Sequence, residues 1–302
     1  MLNLDENTIT AEALRRMQNT SNPRLKRIMA SLVQHLHDFA REVELSESEW
    51  FDGIAFLTAV GNMTSGKRQE FILLSDVLGL SMLVIAQNQR KPAACTEATV
   101  FGPFHVDGAP EYALGADIAN GARGEPCFVD ATLRGVHGEP VPGASVDVWQ
   151  SDEAGFYDVQ YERNDVPRAR GILHSDAQGR VYFKTILPVA YPIPSDGPVG
   201  RMLEATGRHP WRPAHIHFMI VAPGYEKLVT HVFRNDDIYL DSDAVFGVRS
   251  SLLGTYRRHE AGSIAPDGKA SAAPYYTLQY DFVLNPRPAA LAVATGSASH
   301  AA

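Results

Sequence analysis

The segment CFVDATLRGVHGEPVPGASVDVWQSD, residues 127–152, carries the pattern that decides the fold class of this chain. Within it, GEPVPGASVDVW begins as a turn rich in glycine and proline and continues as a run of β-forming residues. Val146 and Val148 stand two apart in that run, so they lie on one face of a strand. The segment therefore predicts a turn followed by a strand with an apolar face.

Three further segments have the same pattern of β-forming runs and turns. They are GRVYFKTILPVAYPIP at 179–194, AHIHFMIVAPGYEKLVTHVF at 214–233 and YYTLQYDFVL at 275–284. Short β-rich runs that alternate with Gly, Pro and Asp turns predict an all-β sandwich. The last residues, 287–302, are rich in Ala and Ser without periodicity, and we expect this tail to be disordered.

The amino-terminal part of the chain has a helical pattern instead. The sequence SESEW indicates a capping box, with Ser46 as N-cap and Glu49 three residues later. A further helix is predicted from about Gln69 to Ala86. An apolar stripe at three- and four-residue spacing precedes the capping box and predicts an amphipathic helix. This stripe could pack in the core or form an interface with a second subunit. Its members are Leu25, Ile28, Met29, Leu32, Leu36, Phe39 and Val43.

The predicted fold class is therefore mainly β, with a helical domain at residues 1–96 and a β-sandwich domain at 97–286. The formal net charge of −8 over 302 residues argues against nucleic acid or an anionic membrane as the main partner. The chain has no run of eighteen apolar residues, and its first ten residues lack the pattern of a signal peptide. Cys95 and Cys127 are too few for a disulfide framework and fit a reducing cytoplasm.

The stretch HPWRPAHIHF, residues 209–218, contains the first candidate site residues. His215 and His217 would share one face of a strand, while Ile216 and Phe218 fill the other. Burying two imidazoles without partners is costly, and a metal ion would satisfy both. A structural role for either histidine is the alternative.

Two tyrosines are candidates for the remaining ligands. Tyr157 lies in SDEAGFYDVQY, just past a strand end, and Tyr191 lies in the proline-rich ILPVAYPIP. Tyrosinate is a hard anionic donor and prefers a hard trivalent ion. A ferric ion with two tyrosinates, two imidazoles and a hydroxide would have no net charge, so it could be buried without a large desolvation penalty. Tyrosines that only pack in the core, and a non-catalytic β-sandwich module with a structural zinc, remain alternatives.

Three motifs resemble the intradiol ring-cleaving dioxygenases, in the order in which that family carries them. They are GFYDVQ at 155–160, PVAYPIPSDGPVG at 188–200 and RPAHIHFMIVAPGYEKLVTHVF at 212–233. The resemblance extends from about residue 23 to residue 286 and is to the branch with a helical amino-terminal part. Within it, TVFGPF, VDVWQSDEAGFYDVQYE, AYPIPSDGPVG and YLDSDAVFGV are most similar to hydroxyquinol 1,2-dioxygenases.

The resemblance implies a non-haem Fe(3+) centre with Tyr157, Tyr191, His215 and His217 as ligands. It assigns Tyr191 as the ligand that leaves and accepts a substrate proton. It also implies that Arg212 is a fixed cation where negative charge builds on the substrate ring. A surface ion pair is the alternative for Arg212.

The resemblance also implies the substrates, an aromatic diol or triol and O2. For hydroxyquinol (benzene-1,2,4-triol) the product would be 3-hydroxy-cis,cis-muconate, whose keto form is maleylacetate; catechol and chlorocatechol are the alternative substrates. It further points to a homodimer built on the amino-terminal helices, and whether a lipid is bound there is left open. The residues implied to line the substrate pocket are Leu73, Asp76, Val100, Phe101, Gly102, Pro103, Ile193, Pro194 and Val245.

Two residues have roles that the sequence leaves open. Asp76 lies in the apolar run ILLSDVLGLSMLV, where a carboxylate is costly unless it is hydrogen-bonded. It is either an acceptor for the third hydroxyl of hydroxyquinol or a residue on a helix surface or cap. Leu73 precedes it by three positions and would share its helix face. His231 stands where plain catechol dioxygenases tend to carry glutamine, and it either takes part in a hydrogen bond behind the metal ligands or only packs in the core.

Overall fold

The computed structural model describes residues 3–65, 68–162 and 166–287. The chain divides into two compact units, residues 1–61 and 62–302. The predicted domain boundary between residues 96 and 97 falls within the second unit and stays a prediction. Of the predicted disordered tail, only Arg287 lies within the described residues.

The first unit contains two complete helices, α1 (Ile9–Arg16) and α2 (Pro23–Glu42), and most of α3 (Glu47–Met63). Helix α2 begins where Asn22 Oδ1 accepts a hydrogen bond from the backbone N–H of Leu25 at 3.0 Å, with proline at the first helical position. The capping box before α3 is confirmed, because the backbone N–H of Ser46 donates to Glu49 Oε2 at 2.9 Å and that of Glu49 donates to Ser46 Oγ at 3.3 Å.

The apolar stripe of α2 does not form a core within this chain. Six of its side chains are between 46% and 54% exposed, Met29 is half-buried, and no residue of the helix is buried; the six are Leu25, Ile28, Leu32, Leu36, Phe39 and Val43, which directly follows the helix. Helix α3 also exposes Trp50 and Phe51. Within the described part of the chain these side chains therefore do not form a buried core, and an interface with a second subunit stays a prediction.

The prediction of one continuous helix from Gln69 to Ala86 is wrong. The structure has α4 (Glu70–Val77) and α5 (Leu80–Asn88), whose axes meet at 77°. The break occurs at Gly79, which adopts a left-handed φ of +74° that glycine reaches without steric cost. No single described helix is long and apolar enough to cross a membrane, although this bent pair meets that test by length and composition.

The second unit contains a β-sandwich, so the predicted fold class is confirmed. The strands are β1 (Pro126–Gly135), β2 (Ser145–Trp149), β3 (Arg170–His174), β4 (Arg180–Ile186), β5 (Tyr191–Pro192), β6 (Trp211–Arg212), β7 (His215–Val221), β8 (Leu228–Arg234), β9 (Leu253–Gly254), β10 (Tyr256–His259) and β11 (Tyr275–Leu284). One sheet has the strand order β10-β11-β1-β4, the other has the order β3-β2-β7-β8-β9, and β5 pairs with β6.

The core lies between the two large sheets. Val146 and Val148 of β2 are buried in it, as the spacing predicted. Ile216 and Phe218 of β7 belong to the same cluster, and the Phe218 ring lies 4.9 Å from that of Phe282 on β11 in the facing sheet. Because the even-numbered side chains of β7 fill this core, its odd-numbered histidines point to the opposite face. Helix α6 (Pro198–Ala205) lies in the connection between β5 and β6.

Candidate metal centre

Four side chains that the sequence singled out converge on one buried point. The hydroxyl of Tyr157 lies 3.1 Å from that of Tyr191 and 2.8 Å from His217 Nε2. His215 Nε2 lies 3.1 Å from His217 Nε2. All four residues are buried. Two phenol oxygens and two imidazole nitrogens therefore face one another at the separations expected of donors around a single ion.

Different elements bring these donors together. His215 and His217 come from β7, and Tyr157 immediately precedes the short 3-10 helix Asp158–Gln160. Tyr191 comes from β5, where it pairs with Arg212 of β6. Only the histidine pair is therefore fixed by local strand periodicity, whereas the tyrosines reach the site through the tertiary fold.

The protonation of the imidazoles suits a metal ion. Nδ1 of His215 lies 2.6 Å from the backbone carbonyl of Pro213, which requires a proton on Nδ1 and leaves a lone pair on Nε2. Burial, aided by Arg212, lowers the pKa of His215 well below its ordinary value, and burial lowers that of His217 similarly. Both rings are therefore neutral and could bind a metal ion. The ring of Trp149 stacks on His217 at 4.7 Å.

The tyrosines need a cation before they can ionise. Burial and the neighbouring Tyr191 raise the pKa of Tyr157 well above its ordinary value. Burial also raises the pKa of Tyr191, although the charge of Arg212 opposes this effect. Two phenols that face two neutral imidazoles in a dry site would thus ionise on binding a highly charged ion. This donor set fits a metal ion.

A third imidazole stands beside the four donors. His231 on β8 lies opposite His217 on β7, with ring centroids 4.1 Å apart. The ring nitrogens of His215, His217 and His231 that could bind a metal all lie within 4.8 Å of one another. Both nitrogens of His231 are buried and have no hydrogen-bond partner among the described residues. Simple packing would not require two such polar atoms at this position.

Arg212 is buried next to the four donors, which removes the surface ion pair as its explanation. Its Nη1 lies 3.3 Å from His215 Nε2, and its Nε donates to Asp243 Oδ1 at 3.1 Å. Burial alone would lower the pKa of Arg212, but Asp243 and the tyrosine oxygens raise it above its ordinary value. The guanidinium is therefore a permanent cation in the site.

Sequence reasoning did not single out Asp243. The residue lies in YLDSDAVFGV, a segment that is similar to hydroxyquinol 1,2-dioxygenases, and no spacing rule links it to Arg212. Its carboxylate also accepts hydrogen bonds from the backbone N–H groups of Gly247 at 2.8 Å and Val245 at 3.3 Å. Gly247 leaves room for the pair, since a Cβ there would lie 3.1 Å from Arg212 Nη2.

Some predicted pocket residues are directly next to these groups. A Cβ on Gly102 would lie 3.2 Å from His217 Cε1, so the backbone passes close to that ring. Phe101 is 40% exposed, and its ring lies 5.7 Å from that of Trp149. Of the others, Val100, Ile193 and Val245 are buried, and Pro103 and Pro194 are half-buried.

Asp76 and Leu73 share the buried face of α4, as their spacing predicted. Asp76 is only 4% exposed, so it is not on a helix surface. Burial raises the pKa of Asp76, against a hydrogen bond with Ser81 and the charge of Arg212, while Asp243 raises it further. The charges of Arg212 and Asp243 are therefore close enough to Asp76 to act on its pKa.

Comparisons with known proteins agree with this geometry. The family model described as "Dioxygenase" matches residues 100–286, and that described as "Catechol dioxygenase N terminus" matches residues 22–96. The 6-chlorohydroxyquinol 1,2-dioxygenase of Cupriavidus pinatubonensis is 61% identical over 95% of this chain and 99% of its own length. The hydroxyquinol 1,2-dioxygenase of Nocardioides simplex is 51% identical over 93% of this chain and 96% of its own.

A solved structure is similar over almost the same length. The hydroxyquinol 1,2-dioxygenase of Pseudomonas putida matches with a TM-score of 0.86 and 50% identity, covering 93% of this chain and 99% of that one. The chain belongs to the intradiol ring-cleavage dioxygenase family. It is thus an enzyme, and its similarity is to the members named for hydroxyquinol substrates.

Proposed function

We propose that this enzyme opens the ring of hydroxyquinol with O2, between the two adjacent hydroxylated carbons, to give 3-hydroxy-cis,cis-muconate and its keto form maleylacetate. The observation that carries the proposal is the buried convergence of Tyr157, Tyr191, His215 and His217. The substrate follows from the relatives, which are named for hydroxyquinol or 6-chlorohydroxyquinol and are 50–61% identical. Such a reaction belongs to the catabolism of aromatic compounds.

We further propose that the resident metal is Fe(3+). Two tyrosinates and a hydroxide would neutralise its charge, so the filled site could remain buried without a large desolvation penalty. The chemistry that the ion supplies when bound is to make the ring of a coordinated ortho-diphenol reactive towards O2. A divalent zinc ion with the same anionic ligands would leave net negative charge in a dry site.

Side chains of the protein would accept a proton from the substrate and stabilise the charge that develops on it. Tyr191 would take a proton from a substrate hydroxyl, because burial raises its pKa and so makes its phenolate a stronger base, although the charge of Arg212 opposes this effect. Tyr157 would remain in place. Arg212 would then stabilise negative charge that develops on the substrate, because its position is fixed before the reaction begins.

The third hydroxyl of hydroxyquinol needs its own partner. Asp76 is buried, and its electrostatic interactions with Arg212 and Asp243 support a position near the bound ring. We propose that its carboxylate accepts a hydrogen bond from that hydroxyl. The remaining proposed pocket residues, Leu73, Val100, Phe101, Gly102, Pro103, Ile193, Pro194 and Val245, would set the shape of the pocket.

Oxygen uptake by the purified enzyme tests the function. Hydroxyquinol, 6-chlorohydroxyquinol, catechol and a chlorocatechol should be compared, with product spectra recorded. We expect kcat/KM for one of the hydroxyquinols to exceed that for catechol at least tenfold. The chlorinated triol is the second candidate because the 61% identical relative is named for it. Faster turnover of catechol would instead make the enzyme a catechol 1,2-dioxygenase.

Colour tests the metal separately from turnover. Charge transfer from tyrosinate to ferric ion absorbs visible light, so the purified protein should be red to burgundy and contain one iron per chain. A colourless protein that contained zinc would support the non-catalytic module instead.

We also propose that the enzyme is a homodimer in the cytoplasm. The half-exposed apolar stripe of α2 supports an interface with a second copy, because contiguous apolar surfaces of this kind mark protein contacts. Both cysteines, Cys95 and Cys127, are free and buried, which suits a reducing compartment.

A further inference from the structure

A second buried arginine lies near the metal ligands, in contact with Asp158. Arg170 Nε lies 2.9 Å from Asp158 Oδ1 and 2.8 Å from Oδ2, and Nη2 of Arg170 also donates to Oδ1. The two side chains are only 3% and 2% exposed. Backbone N–H groups of Val159 and Arg168 donate to the same carboxylate at 2.8 and 3.1 Å. This pair is therefore dry and multiply hydrogen-bonded.

The Arg170–Asp158 pair holds Tyr157 from two sides. Asp158 is the next residue in the chain, so fixing its carboxylate fixes the peptide that carries the tyrosine. Arg170 Nη2 also donates to the carbonyl of Phe104 at 3.1 Å, and the Phe104 ring stacks on the Tyr157 ring at 4.5 Å and 22°. In addition, the backbone N–H of Tyr157 donates to Gln160 Oε1 at 2.8 Å. Backbone and ring are thus both constrained.

Stability alone does not account for such a pair. Removing two charges from water is costly, and an apolar pair of similar volume often stabilises a protein as well or better. A rigid support for a metal ligand is a different requirement, because groups behind a ligand set its orientation and basicity. Tyr191 is held differently, by the two-residue strand β5. The two tyrosines are therefore supported by different kinds of contact.

We propose that Arg170 is a positioning residue, which acts with Asp158 and Phe104 to keep Tyr157 as the permanent tyrosinate ligand. This inference rests on the proposed function, since Tyr157 must bind the metal. Loss of the pair should let the Tyr157 ring rotate, which alters its bond to the ion without removing any ligand.

The test uses the iron-loaded enzyme with Arg170→Met, Arg170→Lys and Asp158→Asn. The control is Arg180→Met, which breaks an exposed pair with Asp130 whose Nε–Oδ1 distance is 2.7 Å. We expect Arg170→Met to lower kcat about tenfold to a hundredfold at a similar KM, which is typical of groups that support metal ligands. Its charge-transfer band, measured per bound iron, should shift, while Arg180→Met should retain the wild-type band and kcat.

Arg170→Lys and Asp158→Asn keep a polar side chain of similar size, and they decide the question if Arg170→Met does not fold. Each should shift the band less than Arg170→Met. A folded variant with the wild-type band and kcat overturns the inference, even if thermal unfolding of its metal-free form occurs at a lower temperature, because that result describes a purely structural pair.

Tyr157→Phe separates this inference from the proposed function. If Tyr157→Phe keeps iron and the wild-type band, Tyr157 is not a ligand and both proposals fail. If Tyr157→Phe loses the band and the Arg170 and Asp158 variants retain it with full kcat, only the positioning role fails. Loss of the band in Tyr157→Phe together with a shifted band in the Arg170 variants supports both.

Discussion

Arg212 and Asp243 form a buried ion pair whose geometry fixes the cation beside the proposed metal ligands. Arg212 Nε lies 3.1 Å from Asp243 Oδ1, and Nη1 lies 3.3 Å from His215 Nε2. The carboxylate is itself held by the backbone N–H of Gly247 at 2.8 Å. The guanidinium therefore needs no rearrangement when charge develops on a bound substrate, which is the condition under which such groups contribute most to catalysis.

Arg212→Ala should retain iron and lose turnover. Removing one preorganised charge of this kind typically lowers kcat about a hundredfold to a thousandfold. The single variant also leaves Asp243 buried and uncompensated, at a cost of about 3–5 kcal/mol in folding free energy. Arg212→Ala combined with Asp243→Asn should regain much of that stability but none of the activity. Iron analysis, oxygen uptake and thermal unfolding distinguish the two effects, and an unchanged kcat would exclude the catalytic role.

His217→Ala should lose iron and visible colour together. Its Nε2 lies between the Tyr157 hydroxyl and His215 Nε2, so its removal leaves three donors around the ion. His174→Ala is the control, because the His174 side chain is 51% exposed. Metal content and the absorption spectrum are the measurements. A His217→Ala protein with a full complement of iron would contradict the proposed ligand set.

The extent to which sequence predicted this site depends on whether the information is local. His215 and His217 were predictable because strand periodicity places residues two apart on the same face. Tyr191 was predictable from its proline-rich segment and the family resemblance, but its pairing with Arg212 depends on the β5–β6 ladder. The contacts of Arg212 with Asp243, and of His217 with His231, join residues far apart in the chain or on adjacent strands. The pattern within one segment does not predict which residues of another segment it will contact.

The fold shows the same limit. The β-sandwich could be predicted, because alternating β-rich runs and turns are a local property repeated along the chain. The bend between α4 and α5 was missed because apolar residues continue through the Gly79 break, and a glycine inside a helical pattern does not always end a helix. Four residues next to the candidate site are buried, but no hydrophobic periodicity in the sequence marks them as such. They are Trp149, Asp158, Arg170 and Asp243.

His231→Leu should stabilise the metal-free protein. Both ring nitrogens of His231 are buried without a partner among the described residues, and one unsatisfied polar group costs about 1–3 kcal/mol. An apolar side chain of similar size should therefore raise the free energy of unfolding, by about 1 kcal/mol or more. His231→Gln keeps polar atoms and should not. Denaturant titration of the metal-free forms provides the comparison, and equal midpoints for all three proteins would show that His231 is satisfied in solution.

Leu32→Glu and Leu36→Glu should convert the proposed dimer to monomers. Both side chains belong to the half-exposed stripe of α2, with exposures of 47% and 54%. A carboxylate there would have to be desolvated in the interface, whereas in a monomer it stays in water. Ile238→Glu is the control, since Ile238 is 84% exposed outside the helices. Light scattering at micromolar concentration measures the mass, and a monomeric wild-type protein would exclude the dimer.

Asp76→Ala should reduce the preference for hydroxyquinol over catechol. A third ring hydroxyl that enters this site without an acceptor would cost about 1–3 kcal/mol, so a dedicated acceptor favours the triol by a similar margin. Asp76→Ala should accordingly lower kcat/KM for hydroxyquinol about tenfold or more and leave that for catechol nearly unchanged.

Burial raises the pKa of Asp76, so the carboxylate becomes protonated at a higher pH than an ordinary aspartate. The ratio of the two kcat/KM values in the wild-type enzyme should therefore fall as the pH is lowered through that raised pKa, and the ratio in Asp76→Ala should not respond. Equal losses for both substrates would assign Asp76 a structural role and leave the preference to the shape of the pocket around Leu73 and Val245.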